Sequence, residues 1–86
     1  MKVYLYTVRD KIAHAYGNIF QAPNDMHAMR TFRLEVNRPH ENNVVYHNTD
    51  DFTLYSLGEY DTENGQITPH ESPVLVCTAN KLVKEK

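Results

Sequence analysis

An α+β fold is predicted, a ββαββ core in which one helix covers one face of a mostly antiparallel sheet. Three features point to it. Residues 2–8 (KVYLYTV) are rich in β-branched and aromatic types, which suit a pleated surface. Residues 24–37 carry apolar side chains at helical spacing behind a capping residue. Residues 51–60 (DFTLYSLGEY) alternate with period two and end in a turn signal.

The first segment has Val3, Leu5 and Thr7 on one side and Tyr4, Tyr6 and Val8 on the other. Both sides are largely apolar, which predicts a central strand. Arg9-Asp10-Lys11 reads as a charged turn, and residues 13–22 (AHAYGNIFQA) return as a second strand with a bulge or bend at Gly17. Pro23-Asn24-Asp25 is a helix start, with Asn24 as N-cap and Asp25 favoured by the positive end of the helix dipole. The helix is expected to run to about Asn37, because Arg38 precedes Pro39 and a residue before proline avoids the α region. Met29, Phe32 and Val36, with Ala28 beside them, form the stripe that packs on the sheet.

Residues 38–50 are polar and asparagine-rich and read as a connection, with a short strand possible at Val44–Tyr46. In the strand that follows, Phe52, Leu54 and Ser56 oppose Thr53, Tyr55 and Leu57. Residues 61–65 are a hairpin turn in which Asn64-Gly65 supplies positive φ values. Residues 66–68 begin a return strand that Pro69 confines to an edge or an end. Residues 74–79 (VLVCTA) are a short buried run, strand or helical turn, and residues 81–86 are a frayed basic tail.

With 86 residues the chain is read as one domain. A domain of this size buries only about 60–65% of the surface its unfolded chain exposes. Surface binding or pairing into a homodimer is easier to support than buried chemistry. The net charge of −2 hides a segregation of charge. Residues 1–40 hold six cations against three acids, and residues 41–80 hold seven acids with no Lys or Arg. Residues 81–86 hold three lysines against one glutamate. One cysteine, Cys77, can make neither an internal disulfide nor a zinc site alone, which fits a reducing compartment. No leader-like run and no apolar stretch near the ~20 residues of a membrane span is visible, so no membrane association is expected.

Chemistry finds little support. His14, His27, His40, His47 and His70 are scattered, without metal-ligand spacing, and surface histidines are the plain alternative. Asp61, Glu63 and Asn64 faintly suggest a calcium loop, but a hairpin turn accounts for them better. Nucleophilic catalysis would need Cys77, Ser56 or Ser72 next to a base and an orienter, and Cys77 lies in an apolar run, where cysteine behaves as a small hydrophobe. The three glycines, at 17, 58 and 65, are isolated, so no phosphate-cradling loop exists. The reading is a non-enzyme with no catalytic residues, cofactor or metal.

Nucleic-acid binding is the more informative possibility. Aromatic side chains on a sheet stack single-stranded bases, and nearby cations follow the phosphates. The residues that would do this are Arg9, Lys11, Arg30 and Arg33 for phosphates and Tyr6 and Tyr16 for stacking. The alternative is that the aromatics are the core itself. A second reading uses the acidic stretch Glu41–Glu71 to imitate nucleic-acid charge or to meet a basic partner, as a host-takeover or anti-defence module would. Gathering of those acids on one face would favour it.

Two segments carry a resemblance. The opening MKVYLYTVRDKIAHAYGNIFQAPN leads into Ala28-Met29-Arg30-Thr31-Phe32, and DFTLYSLGEYD at 51–61 is followed by Glu63-Asn64-Gly65. The second segment matches the pattern DF-x-L-[YF]-x-[LI]-G-[EY]-[FY]-D…[TN]-G. It is similar to the small nonstructural protein, the fifth open reading frame product, of gokushovirus-type microviruses, which are single-stranded DNA bacteriophages. The resemblance covers residues 1–70. It implies a protein absent from the capsid that acts in the host bacterial cytoplasm. By analogy with the small C protein of the other microvirus subfamily, it implies a role in viral DNA synthesis and the switch to single strands. Partners would be single-stranded DNA, the viral replication initiator or a host protein.

Overall fold

In the computed structural model, which describes residues 1–84, five strands form one sheet. They are β1 (Lys2–Asp10), β2 (Ala15–Tyr16), β3 (Phe20–Ala22), β4 (Phe52–Asp61) and β5 (Ile67–Thr78). Between β3 and β4 lie the helix α1 (Asp25–Val36) and a single turn α2 (Val44–His47). Every strand pairing is antiparallel. The architecture is therefore α+β with one main helix, and the element order differs from ββαββ. The expected second strand is divided in two, and a second short helix intervenes.

β1 is central, as its two apolar sides require. It pairs with β2 and β3 along one edge and with β4 along the other. It also runs further than expected, since Arg9 and Asp10 are its last residues and not part of the turn. The turn begins at Lys11, where the Asp10 carboxylate accepts from the Ile12 and Ala13 amides at 2.9 and 3.3 Å. Gly17 breaks the return strand. Its amide donates to Val8 O at 2.8 Å, and the Thr7 hydroxyl donates to the carbonyls of Gly17 and Asn18.

The Asn24 side chain caps α1 by accepting from the His27 amide at 3.0 Å, and the helix ends at Asn37. Ala28, Phe32 and Val36 are buried against Tyr6, Ala22, Phe52 and Leu54, with Met29 half-buried beside them. Val44–Tyr46 is helical and not a strand. The buried Asn43 explains this: its Oδ1 accepts from the Val45 and Tyr46 amides, and its Nδ2 donates to the carbonyls of Glu35 and Arg38. One asparagine thus starts α2 and ties it to the end of α1.

On β4, Phe52, Leu54, Ser56 and Gly58 alternate as buried positions. In the following turn only Gly65 has positive φ, at 76°; Asn64 does not. The Asp61 carboxylate organises the turn by accepting from the Glu63 amide at 2.9 Å. The two short segments expected after it are one long edge strand, β5, interrupted twice. Gly58 pairs with Pro69 while Ser56 pairs with Val74, so the four residues 70–73 stand against Leu57 alone; Val76 is extra between Leu75 and Cys77. The strand ends at Thr78, and Ala79–Lys81 form a 3₁₀ turn.

Residues 82 and 84 are tied to the body of the domain. Leu82 is buried in the core, and the Asn37 side chain grips the segment twice. Its Nδ2 donates to Leu82 O at 2.9 Å, and its Oδ1 accepts from the Lys84 amide at 2.8 Å. Residues 85–86 of the expected tail lie outside the described residues.

Candidate nucleic-acid interface

Alternation along β1 separates the expected contact residues before any tertiary packing is considered. Tyr4, Tyr6 and Val8 point to the face that α1 covers, where they join or flank the core. Arg9 points to the other face.

Tyr6 is fully buried, so it cannot stack a base. Its ring stacks on Phe20 with centroids 5.7 Å apart, and its hydroxyl donates to Asp25 Oδ1 at 2.7 Å. Burial, and then the Asp25 carboxylate, push the phenol well above its ordinary pKa. The sequence correctly offers Tyr6 as an aromatic of the hairpin but does not say which side the helix takes.

Tyr16 has the opposite surroundings. It is 48% exposed, and its ring meets Tyr55 edge-on at 5.6 Å. The Arg9 guanidinium lies 5.7 Å from the Tyr16 ring centroid, within cation–π range. Register explains the cluster. Arg9 is opposite Tyr16 on β2 and Thr53 on β4, and Tyr55 stands two residues along β4 on the same side. Tyr55 was visible in the sequence as a residue opposing Phe52 and Leu54. Its nearness to Tyr16 depends on pairing register, which no local signal supplies.

The remaining cations do not join this cluster. Lys11 sits in the turn, with Nζ 3.9 Å from Asp51 Oδ1. Arg30 and Arg33 are exposed on α1, on the opposite side of the sheet from Arg9. Arg33 lines a small hollow with Lys81, Leu82, Val83 and Lys84. Lys81 and Lys84 lie in the segment expected to fray, so they were not proposed from the sequence. Among the described residues, Lys2, Lys11 and Arg38 have acidic partners within 4 Å, while Arg9, Arg30, Arg33, Lys81 and Lys84 have none.

The acidic residues on and beside β4 fall into two groups. Asp50 and Asp51 precede β4, whereas Glu59 and Asp61 close it and Glu63 lies in the turn beyond. Seven extended residues lie between Asp51 and Glu59, a rise of about 26 Å from one to the other. Glu59 also pairs with Lys2, and Asp61 and Glu63 pair with the N-terminal amine.

Two hollows lie on the helix side. An apolar one of about 470 Å³ separates the hairpin from α1 and has Val8, Ala13, Phe20, Phe32, Val45 and Phe52 in its walls. The other, of about 540 Å³, contains Ser56 and His70, whose Oγ and Nε2 are 2.9 Å apart. This is a serine beside a potential base. No described hydrogen bond orients the other imidazole nitrogen, however, and Asp25 in the same hollow is engaged by Tyr6. Burial, followed by the Asp25 charge, raises the Cys77 thiol pKa, consistent with a packing role for that side chain. Among the described residues no three His, Cys, Asp or Glu side chains converge to hold a metal ion, and no helix is long and apolar enough to cross a membrane.

Comparison with known proteins gives one family. A family model described as Phage ORF5 protein matches residues 3–82. Protein ORF5 of Chlamydia phage 1 is 25% identical over 77 residues, covering 87% of this chain and 80% of that one. No solved structure matches.

Proposed function

The chain belongs to the Phage ORF5 protein family, and from that we propose that it is a nonstructural phage protein that binds single-stranded DNA during viral DNA synthesis. The reading places it in the cytoplasm of the infected bacterium, acting by binding and not by catalysis. The observation that carries it is the Arg9–Tyr16–Tyr55 cluster on the face of the sheet that α1 leaves open.

This arrangement suits a single strand for two reasons. An exposed tyrosine ring offers a π surface that any base can use, and an arginine with no acidic partner among the described residues adds charge for the adjacent phosphate. Duplex DNA, whose bases are already stacked, would engage only the cation. Binding is therefore expected to favour single strands and to tolerate sequence.

The test is a titration of a fluorescent oligothymidylate at low and near-physiological salt, with the wild type and with Arg9→Gln/Tyr16→Ala. Stacking contributes about 1–3 kcal/mol per base, so the double variant should bind about 10-fold to 100-fold more weakly. Equal affinity in the folded variant would remove the cluster from the site. No binding by the wild type at low salt would remove DNA as the ligand.

A protein contact is the second reading, favoured by the apolar hollow between the hairpin and α1. Its partner would be the replication initiator or a host replication protein that inserts an apolar side chain. Capture by the wild type and loss of capture on Ala13→Arg, with DNA binding retained, would establish it.

A further inference from the structure

We infer that the exposed cations of α1 and the C-terminal segment form a second phosphate-binding site, so that one molecule holds two separate lengths of DNA. This inference rests on the proposed binding of single strands and adds a distinct surface to it. The residues are Arg33, Lys81 and Lys84 around one hollow, with Arg30 one helical turn before Arg33.

Three observations carry it. First, the group is built and not a loose tail. Leu82 is 7% exposed, and the two hydrogen bonds from the Asn37 side chain fix the backbone on either side of Val83. Lys81 and Lys84 are thereby held beside Arg33. Second, charge is distributed unevenly. Four of the five cations without an acidic partner among the described residues belong to α1 and the C-terminal segment, and Arg9 is the fifth. Third, this group has no aromatic side chain in its hollow, which is lined by Arg33, Lys81, Leu82, Val83 and Lys84. It therefore suits the phosphate backbone and not the bases, whereas the Arg9–Tyr16–Tyr55 cluster suits both.

The two surfaces cannot serve one short segment. α1 lies against the face of the sheet that carries Tyr6, and Arg9 and Tyr16 project from the other. A strand stacked on Tyr16 leaves the second group free for another strand or for a distant part of the same one. Contacts at the second site are sequence-independent and fall steeply with salt, by about 0.7 in the logarithmic slope for each phosphate neutralised on a single strand.

The experiment uses donor-labelled and acceptor-labelled oligothymidylates mixed with the full chain, and reads energy transfer between them alongside the molecular mass of the complex. The variant is Arg33→Gln/Lys81→Gln/Lys84→Gln, all at exposed positions. Wild type should give transfer with one protein per two oligonucleotides. The variant should lose the transfer and bind a single oligonucleotide within about threefold of wild type, with an unchanged salt slope for that single binding. Asn37→Ala should weaken the transfer without removing any charge. Transfer that persists in the triple variant, or arises only from complexes containing two proteins, would overturn the second site. Arg9→Gln/Tyr16→Ala separates the two ideas. If it alone abolishes DNA binding while the triple variant behaves as wild type, the sheet-face reading stands and this one falls. A wild type that binds no DNA at low salt ends both.

Discussion

Tyr6 and Tyr16 occupy the two arms of one hairpin, yet one is fully buried and the other is about half exposed. Tyr6 spends its hydroxyl on Asp25 and its ring on Phe20. Tyr16 touches Tyr55 and Arg9 and keeps much of its ring in solvent. Residue type does not separate them. The parity of each position along its strand does, together with the side of the sheet that α1 covers. The difference teaches that α1 covers the face holding the main core, while the other face, buried at Val3 and Thr7, is accessible around Arg9 and Tyr16. Substitutions on the two faces should therefore change different measurements.

Leu54→Ala should have the largest effect. Leu54 is fully buried, and removing a buried leucine side chain costs about 2–5 kcal/mol through lost transfer energy and the cavity left behind. Urea midpoints would report it, and a loss below about 1 kcal/mol would mean that the covered face is not the tight one. Gly58→Ala follows. Gly58 has φ +152°, and an added Cβ would lie 2.6 Å from Pro69 Cα and closer still to Thr68 O. The backbone conformation alone should cost a side-chain-bearing residue about 1–3 kcal/mol, and crowding against β5 adds to it.

Tyr6→Phe is smaller, about 1–3 kcal/mol, for a hydrogen bond to a charged group. It also carries a pH signature. The folded-state pKa of Tyr6 is raised above its ordinary 10.0, first by burial and then by Asp25, so the fold favours the protonated phenol. That stability is fully present below about pH 10 and is lost as the pH rises above it, because the unfolded chain ionises first. Midpoints measured from pH 8 to 11 should fall more steeply for wild type than for Tyr6→Phe. Tyr16→Ala should have the smallest effect on stability, about 0.5–1.5 kcal/mol from its aromatic neighbour, while lowering DNA affinity the most. A Tyr16 variant that unfolded the protein would erase the contrast between the faces.

Much of this was legible locally. Asn24 and Asp25, the Phe32 stripe and the Arg38-Pro39 stop place α1 to within a residue, because caps and proline act through short-range geometry. The alternation of Phe52, Leu54 and Ser56 places β4. What was not legible depended on long-range partners. Val44–Tyr46 has strand-like composition, but Asn43 reaches back to the end of α1 and turns it helical. Lys81 and Lys84 look like tail residues until Asn37, more than forty positions away, clamps them. The candidate site divided for the same reason. Its six residues share a charge and aromatic logic in sequence, but β1 sends Tyr6 inward and Arg9 outward, and α1 carries Arg30 and Arg33 to the far side.

The two interruptions of β5 have a consequence for how molecules would fill a strand of DNA. Pro69 and Pro73 lack the amides that a neighbouring chain would need, and the extra residues within 70–73 and at 76 bend the outer edge. Backbone pairing with a next copy along β5 is thereby disfavoured. Loading is then expected to rise with protein concentration as a set of independent occupancies, with no propagating array and no sharp threshold of coverage.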